Sequence, residues 1–144
     1  MSTNTQLTEK LHAAFSAGRY DDVLAMVADD IETVSYSSGY AARGKEGFRA
    51  FFMGFASAFP DINIKHRNIV ANGDGVAVEF GATGTHNGPL LTPGGAVPAS
   101  GRKVELNVCE VHTWKNGKLA RIVNYQDAVS LLTQLGLMAQ PGAM

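Results

Sequence analysis

Residues 104–136 read VELNVCEVHTWKNGKLARIVNYQDAVSLLTQLG, and their reading decides the fold. The stretch alternates apolar and polar residues, breaks at Asn116-Gly117, alternates again, and then changes to helical spacing from Asp127. That is the pattern of a long hairpin followed by a short helix. Glu110, His112, Asn124 and Asp127 stand among apolar residues on strands that should be mostly buried. Polar groups taken out of water need partners, so several close together point to a lined pocket.

Successive strand residues face opposite sides, so the turn sets which of them share a face. A two-residue Asn116-Gly117 turn would oppose Lys115 to Lys118 and Glu110 to Val123, with Asn124 on the other face. A three-residue loop, Lys115-Asn116-Gly117, would oppose Trp114 to Lys118, Glu110 to Ile122, Val108 to Asn124 and His112 to Ala120. The second is preferred because it avoids two directly opposed lysines. It gathers Leu106, Val108, Glu110, His112, Ala120, Ile122 and Asn124 into one apolar wall carrying three polar groups.

Upstream, Leu7, Leu11, Ala14 and Phe15 recur at helical spacing and Gly18 supplies a stop. A second helix is expected in DDVLAMVADD (21–30), a strand in IETVSY (31–36) and a loop over 39–44. The spacing predicts a third helix over Lys45–Ala58, where Phe48, Phe51, Phe52, Phe55 and Phe59 form one aromatic stripe ended by Pro60. That stripe is a core face, a wall for a flat apolar ligand, or both.

From Asp61 the period becomes two. Ile62, Ile64, His66, Asn68 and Val70 share one strand face, and Asn72-Gly73-Asp74-Gly75 is a turn. Val76, Val78, Phe80, Ala82, Gly84 and His86 share a face of the next strand. The Gly/Pro-rich segment 87–101 is a connection or a flap, and MAQPGAM a loose tail of the single domain, 1–144. Early helices followed by consecutive antiparallel strands give an α+β fold.

The 144 residues suffice for one sizeable core, and a net charge of −1 offers nothing to nucleic acid or an anionic membrane. One cysteine, Cys109, excludes an internal disulfide framework; with no visible signal peptide or apolar span, a cytoplasmic protein is expected. His12, His66, His86 and His112 show no metal-ligand spacing, so no metal is expected. Asp127 directly precedes a helical run and suits an N-cap better than catalysis. His112 has a structural or rim role, or shuttles protons. His66 reads as an ordinary strand histidine. Tyr36, Tyr40 and Tyr125 could each supply a phenolic donor, with nothing to select one.

The strings GTHNGPL (84–90), GRKVEL (101–106), the NGK turn (116–118), Asp127 followed by LLTQLG (131–136), and FPDINI (59–64) together resemble the SnoaL-like polyketide cyclases of the nuclear transport factor 2-like superfamily. The resemblance implies a cone-shaped α+β barrel in which a curved, mostly antiparallel sheet wraps the N-terminal helices around a deep apolar pocket, and a homodimer. It also implies intramolecular aldol ring closure without cofactor, with a pocket aspartate taking a proton α to a carbonyl and a histidine on the neighbouring strand assisting. Aligned without gaps through the NGK turn, the aspartate falls on Asn124 and the histidine on Glu110. An asparagine amide cannot act as a base but can donate to an enolate oxygen, whereas a pocket glutamate can be the base.

The expectation is therefore an enzyme working on a small apolar carbonyl compound, with Glu110 as base, Asn124 as donor and His112 or His86 completing the polar set. Phe51, Phe55, Trp114, Val108 and Ile122 supply apolar wall. A non-catalytic binding protein using the same pocket, or a hydroxylase-like member of the family, are the alternatives.

Overall fold

The structure, a computed structural model, describes residues 2–92 and 94–138; most of the expected loose tail lies outside them. It opens with helix α1 (Asn4–Ser16), whose first turn is closed by a capping box: the Thr3 hydroxyl accepts from the Gln6 amide and the Gln6 side chain accepts from the Thr3 amide. Helix α2 (Tyr20–Ala25) is short, because strand β1 (Val27–Ser35) begins where helix had been expected. Segment 39–44 is no plain loop either. Its strand β2 (Tyr40–Arg43) pairs antiparallel with β1. Helix α3 (Lys45–Ala58) has the bounds read from the aromatic stripe.

Strands β3 (Asn63–Asn72) and β4 (Gly75–Thr85) form one hairpin, and β7 (Lys103–Lys115) and β8 (Lys118–Gln126) the other. Between them, segment 87–101 contains a small hairpin, β5 (Leu90–Thr92) with β6 (Gly95–Val97). Helix α4 (Ala128–Gln134) closes the described chain. The main sheet runs β2-β1-β8-β7-β4-β3 and is antiparallel except for the β1/β8 pair. Its curved inner face carries Val76, Val78, Phe80, Leu106, Val108, Leu119 and Ile122 onto Leu11, Phe15, Phe48, Phe52 and Phe59 of the helical layer. This is the α+β architecture expected from the order of elements.

Two bulges correct the expected registers. In β3 the pairing shifts between His66 and Asn68, leaving Arg67 as the extra residue. Ile69 then turns inward, and Val70, read as sharing a face with Ile62 and Ile64, is 58% exposed. In the β7/β8 hairpin the turn is the two-residue Asn116-Gly117 form, with φ of 52° and 76°, and not the three-residue loop. Lys115 and Lys118 are opposed after all, and Lys118 Nζ is drawn off to the Ala25 carbonyl at 2.6 Å. The pairing then jumps from Trp114–Leu119 to Thr113–Arg121, so Ala120 is an extra residue. Glu110 consequently lies directly opposite Asn124, and His112 opposite Ile122, rather than opposite Ile122 and Ala120. The shared face survives because the bulge restores the phase that the tight turn removes.

Segment 87–101 is tied to the end of α3. The amides of Asn87 and Gly88 both donate to the Ala58 carbonyl. A Cβ on Gly88 would collide with the Ser57 backbone. Gly88→Ala should therefore cost about 1–3 kcal/mol, as overpacking against rigid backbone does, measured by urea unfolding; unchanged stability would contradict the tight junction.

Candidate functional site

A cavity lies between the inner sheet face and the helical layer, walled by Phe15, Phe48, Phe51, Phe52, Phe55 and Phe80. The cavity has a volume of about 60 Å³. A multi-ring ligand therefore has to displace side chains, and the half-buried Phe51 and Phe55 are the least confined of the aromatic wall on α3.

The polar residues of its lining are His12, Glu110, Asn124 and Gln126, and the first three form one hydrogen-bonded cluster. Glu110 is buried on β7, and both its oxygens are occupied. Oε1 lies 2.9 Å from His12 Nε2 and 2.9 Å from His112 Nε2, and Oε2 accepts from Asn124 Nδ2 at 2.8 Å. The Ser35 hydroxyl, on β1 opposite Asn124, donates to Asn124 Oδ1 at 3.4 Å, which orients the amide with its nitrogen toward the carboxylate.

Proton positions follow from the partners. Trp114 Nε1–H can only donate, and it donates to Thr8 Oγ1 at 3.0 Å. Thr8 Oγ1 lies 3.0 Å from His112 Nδ1. If the hydroxyl donates to Nδ1, His112 keeps its proton on Nε2 and gives it to Glu110, so each of these polar groups has a partner. His12 likewise gives Nε2–H to Glu110, and its Nδ1 accepts from His66 Nε2 at 2.7 Å. His12, Glu110 and His112 each offer a metal-ligand atom within 4.8 Å of the others. In the arrangement described, protons occupy both Nε2 positions, and a hydrogen-bonded triad accounts for the geometry.

Burial alone would raise the Glu110 carboxyl. The hydrogen bonds from His112 and His12, and then their charge, outweigh it and hold the group well below the ordinary carboxylate range. Burial acts on His12 in the other direction, pulling it below 6.5 against the opposing pull of Glu110.

Of the residues singled out from sequence, Glu110, Asn124, Phe51, Phe55, Val108 and Ile122 line the cavity. His112 and Trp114 do not; they stand behind Glu110 as the start and end of its supporting chain. Asp127 is the N-cap of α4, accepting from the Ser130 amide at 3.0 Å. His86 sits at the base of segment 87–101, with Nδ1 accepting from the Ser100 amide. Cys109 lies on the outer sheet face beside Tyr125, its thiol pushed up by burial and then by Glu79.

Sequence reading missed His12 and Thr8. Both occupy the buried face of α1, four residues apart, where Leu11 and Phe15 repeat the same spacing. A histidine inside an apolar helical stripe was the available signal.

Residues 5–135 match the model of one family, described as SnoaL-like polyketide cyclase. The chain belongs to that family. No curated protein matches it. Among solved structures, AclR, a hydroxylase candidate from Streptomyces galilaeus, superposes with a TM-score of 0.82 at 21% identity, over 97% of this chain and 85% of that one. A SnoaL-like polyketide cyclase candidate from Jannaschia sp. CCS1 gives 0.83 at 22%, over 94% and 93%. A polyketide cyclase candidate from Pseudomonas putida KT2440 gives 0.76 at 27%, over 93% and 98%. These likenesses bear out the cone-shaped α+β fold. Among the described residues no helix is long and apolar enough to cross a membrane.

The protonation scheme carries a stability consequence. His12 and His66 are lowered from 6.5, so on acidification the unfolded chain takes up protons before the folded one. Glu110, lowered from 4.5, has the same sign further down, because its stabilising contribution is present above 4.5 and lost as pH falls toward its depressed value. Unfolding free energy should therefore decline as pH drops from 7 through 6.5 and continue to decline below 4.5. Chemical denaturation at stepped pH measures it, and a flat profile would rule the scheme out.

Proposed function

We propose that the chain is an acid/base enzyme, working without a cofactor, on a small, largely apolar carbonyl compound of polyketide type. The observation that carries this is a buried carboxyl group, Glu110, hydrogen-bonded to His12, His112 and Asn124 on the wall of an aromatic-lined cavity. Glu110 is the base that removes a proton α to a carbonyl, and the Asn124 amide, already beside it, donates to the oxygen on which enolate charge develops.

The three donors also limit the choice of substrate. They favour the ionised form of Glu110 and make it a weaker base than a desolvated carboxylate would be. Such a base is matched to an activated carbon, one flanked by two carbonyls as in a polyketide, rather than to a simple ketone. His112, Thr8 and Trp114 fix the carboxylate's orientation from behind without touching the substrate.

Glu110→Gln keeps the side chain's size and removes its basicity. Turnover of an aromatic polyketide methyl ester should fall by about 10²–10⁴-fold, the usual contribution of a positioned base, with the circular-dichroism spectrum unchanged. Full activity in a folded Glu110→Gln protein would overturn the assignment.

A binding protein using the same cavity is the second reading. It is favoured by one observation: both oxygens of the only carboxylate among the cavity-lining residues are already occupied. Mass spectrometry after incubation with the same ester discriminates, since an enzyme returns a transformed compound and a binder returns it intact.

A further inference from the structure

Two imidazoles donate to the same oxygen of Glu110, yet the chains behind them end differently. Behind His112 come Thr8 and then the Trp114 indole N–H, which does not titrate and is 1% exposed. That branch is closed to protons. Behind His12 comes His66, which is titratable and half-buried, so that branch reaches solvent. The distances along it are 2.9 Å and 2.7 Å, and Phe80 packs edge-on to His12 with centroids 4.7 Å apart, holding the ring in line.

We propose that His66 and His12 form the proton inlet of the cavity, a two-imidazole relay that loads the Glu110 carboxyl from solvent. This deepens the reading of Glu110 as the cavity's base and rests on it. The donors fix the direction, since His66 Nε2–H points to His12 and His12 Nε2–H points to Glu110. His66 takes a solvent proton on Nδ1 and releases its Nε2 proton to His12 Nδ1, and His12 releases its own Nε2 proton to Glu110 Oε1. Three bonds to hydrogen form and three break. One proton has entered, and neither ring is left charged. Glu110 loaded in this way is an acid as well as a base, even when a ligand fills the mouth and excludes water.

The charged and titratable surroundings suit the role. His66 is faced by His12 and Glu9 of α1 and, further off, by Glu110 of β7; His12 is faced by Glu110 and His112. Burial, then the charge of His12, draw His66 below 6.5, with Glu9 and Glu110 opposing. His66 is thus neutral, and able to accept, near neutral pH.

The test follows protons on the protein and needs no turnover. In protein labelled with ¹⁵N-histidine, His12 should carry its proton on Nε2, with Nδ1 unprotonated. His66→Gln keeps a donor beside His12 but cannot relay. In it the exchange of the His12 Nε2 proton with water should slow by at least about tenfold, the scale of a positioned proton-transfer group. Thr8→Val, which cuts the closed branch, should leave that exchange unaltered. A proton on His12 Nδ1 with Nε2 bare, or equal exchange in wild type and His66→Gln, would overturn the relay. Loss of turnover in Glu110→Gln with equal exchange in His66→Gln would leave a base without an inlet, so the two readings fail separately.

Discussion

A carboxylate without water costs several kcal/mol to bury unless donors replace its hydration, and Glu110 is replaced on both oxygens. Its donors come from three elements: His12 from α1, His112 from β7 itself and Asn124 from β8. Hydrogen bonds to a charged group contribute about 1.5–3 kcal/mol each, and losing one leaves a buried charge under-satisfied. The carboxylate therefore fixes where α1 lies on the sheet and which residues β8 presents beside β7. Much of the sheet's inner face is a conventional apolar core, but its polar end exists only in one arrangement.

That constraint explains why local signals were read well in some places and poorly in others. The aromatic stripe of α3 and the alternation of β4 are set by burial on one side, and both gave the elements observed. Strand β2 was invisible because four residues that pair only with β1 look like a loop in isolation. The two bulges were invisible for a related reason. An extra residue in a strand leaves no mark on composition, so Arg67 and Ala120 read as ordinary members of an alternating run.

The candidate site was half legible. Glu110 and Asn124 could be placed on one face from the hairpin, although the turn assumed was wrong and the bulge supplied the compensation. The cluster around them could not be found by spacing, because His12 and His66 are 54 residues apart and His12 and Glu110 are 98 apart. Histidines read one at a time look unremarkable; only the packing of α1 across β3, β4 and β7 makes them a connected set. The direction of the Glu110 shift depends on the same packing. An apolar pocket by itself raises a carboxyl, and the imidazoles, distant in sequence, reverse the sign.

The extra residue at Ala120 separates two jobs that a plain hairpin would couple. Between Ala120 and the tip, pairing obeys the Asn116-Gly117 turn; beyond it, pairing obeys the needs of the cavity. Removing one residue there would alter no side chain of the polar cluster, yet it would rotate the outer half of β8 by one position and send Asn124 to the opposite face. For this chain the length of a strand is thus as much a determinant of chemistry as the identity of any residue on it. Relatives differing by a single insertion at this point would present a different chemical surface from almost the same letters.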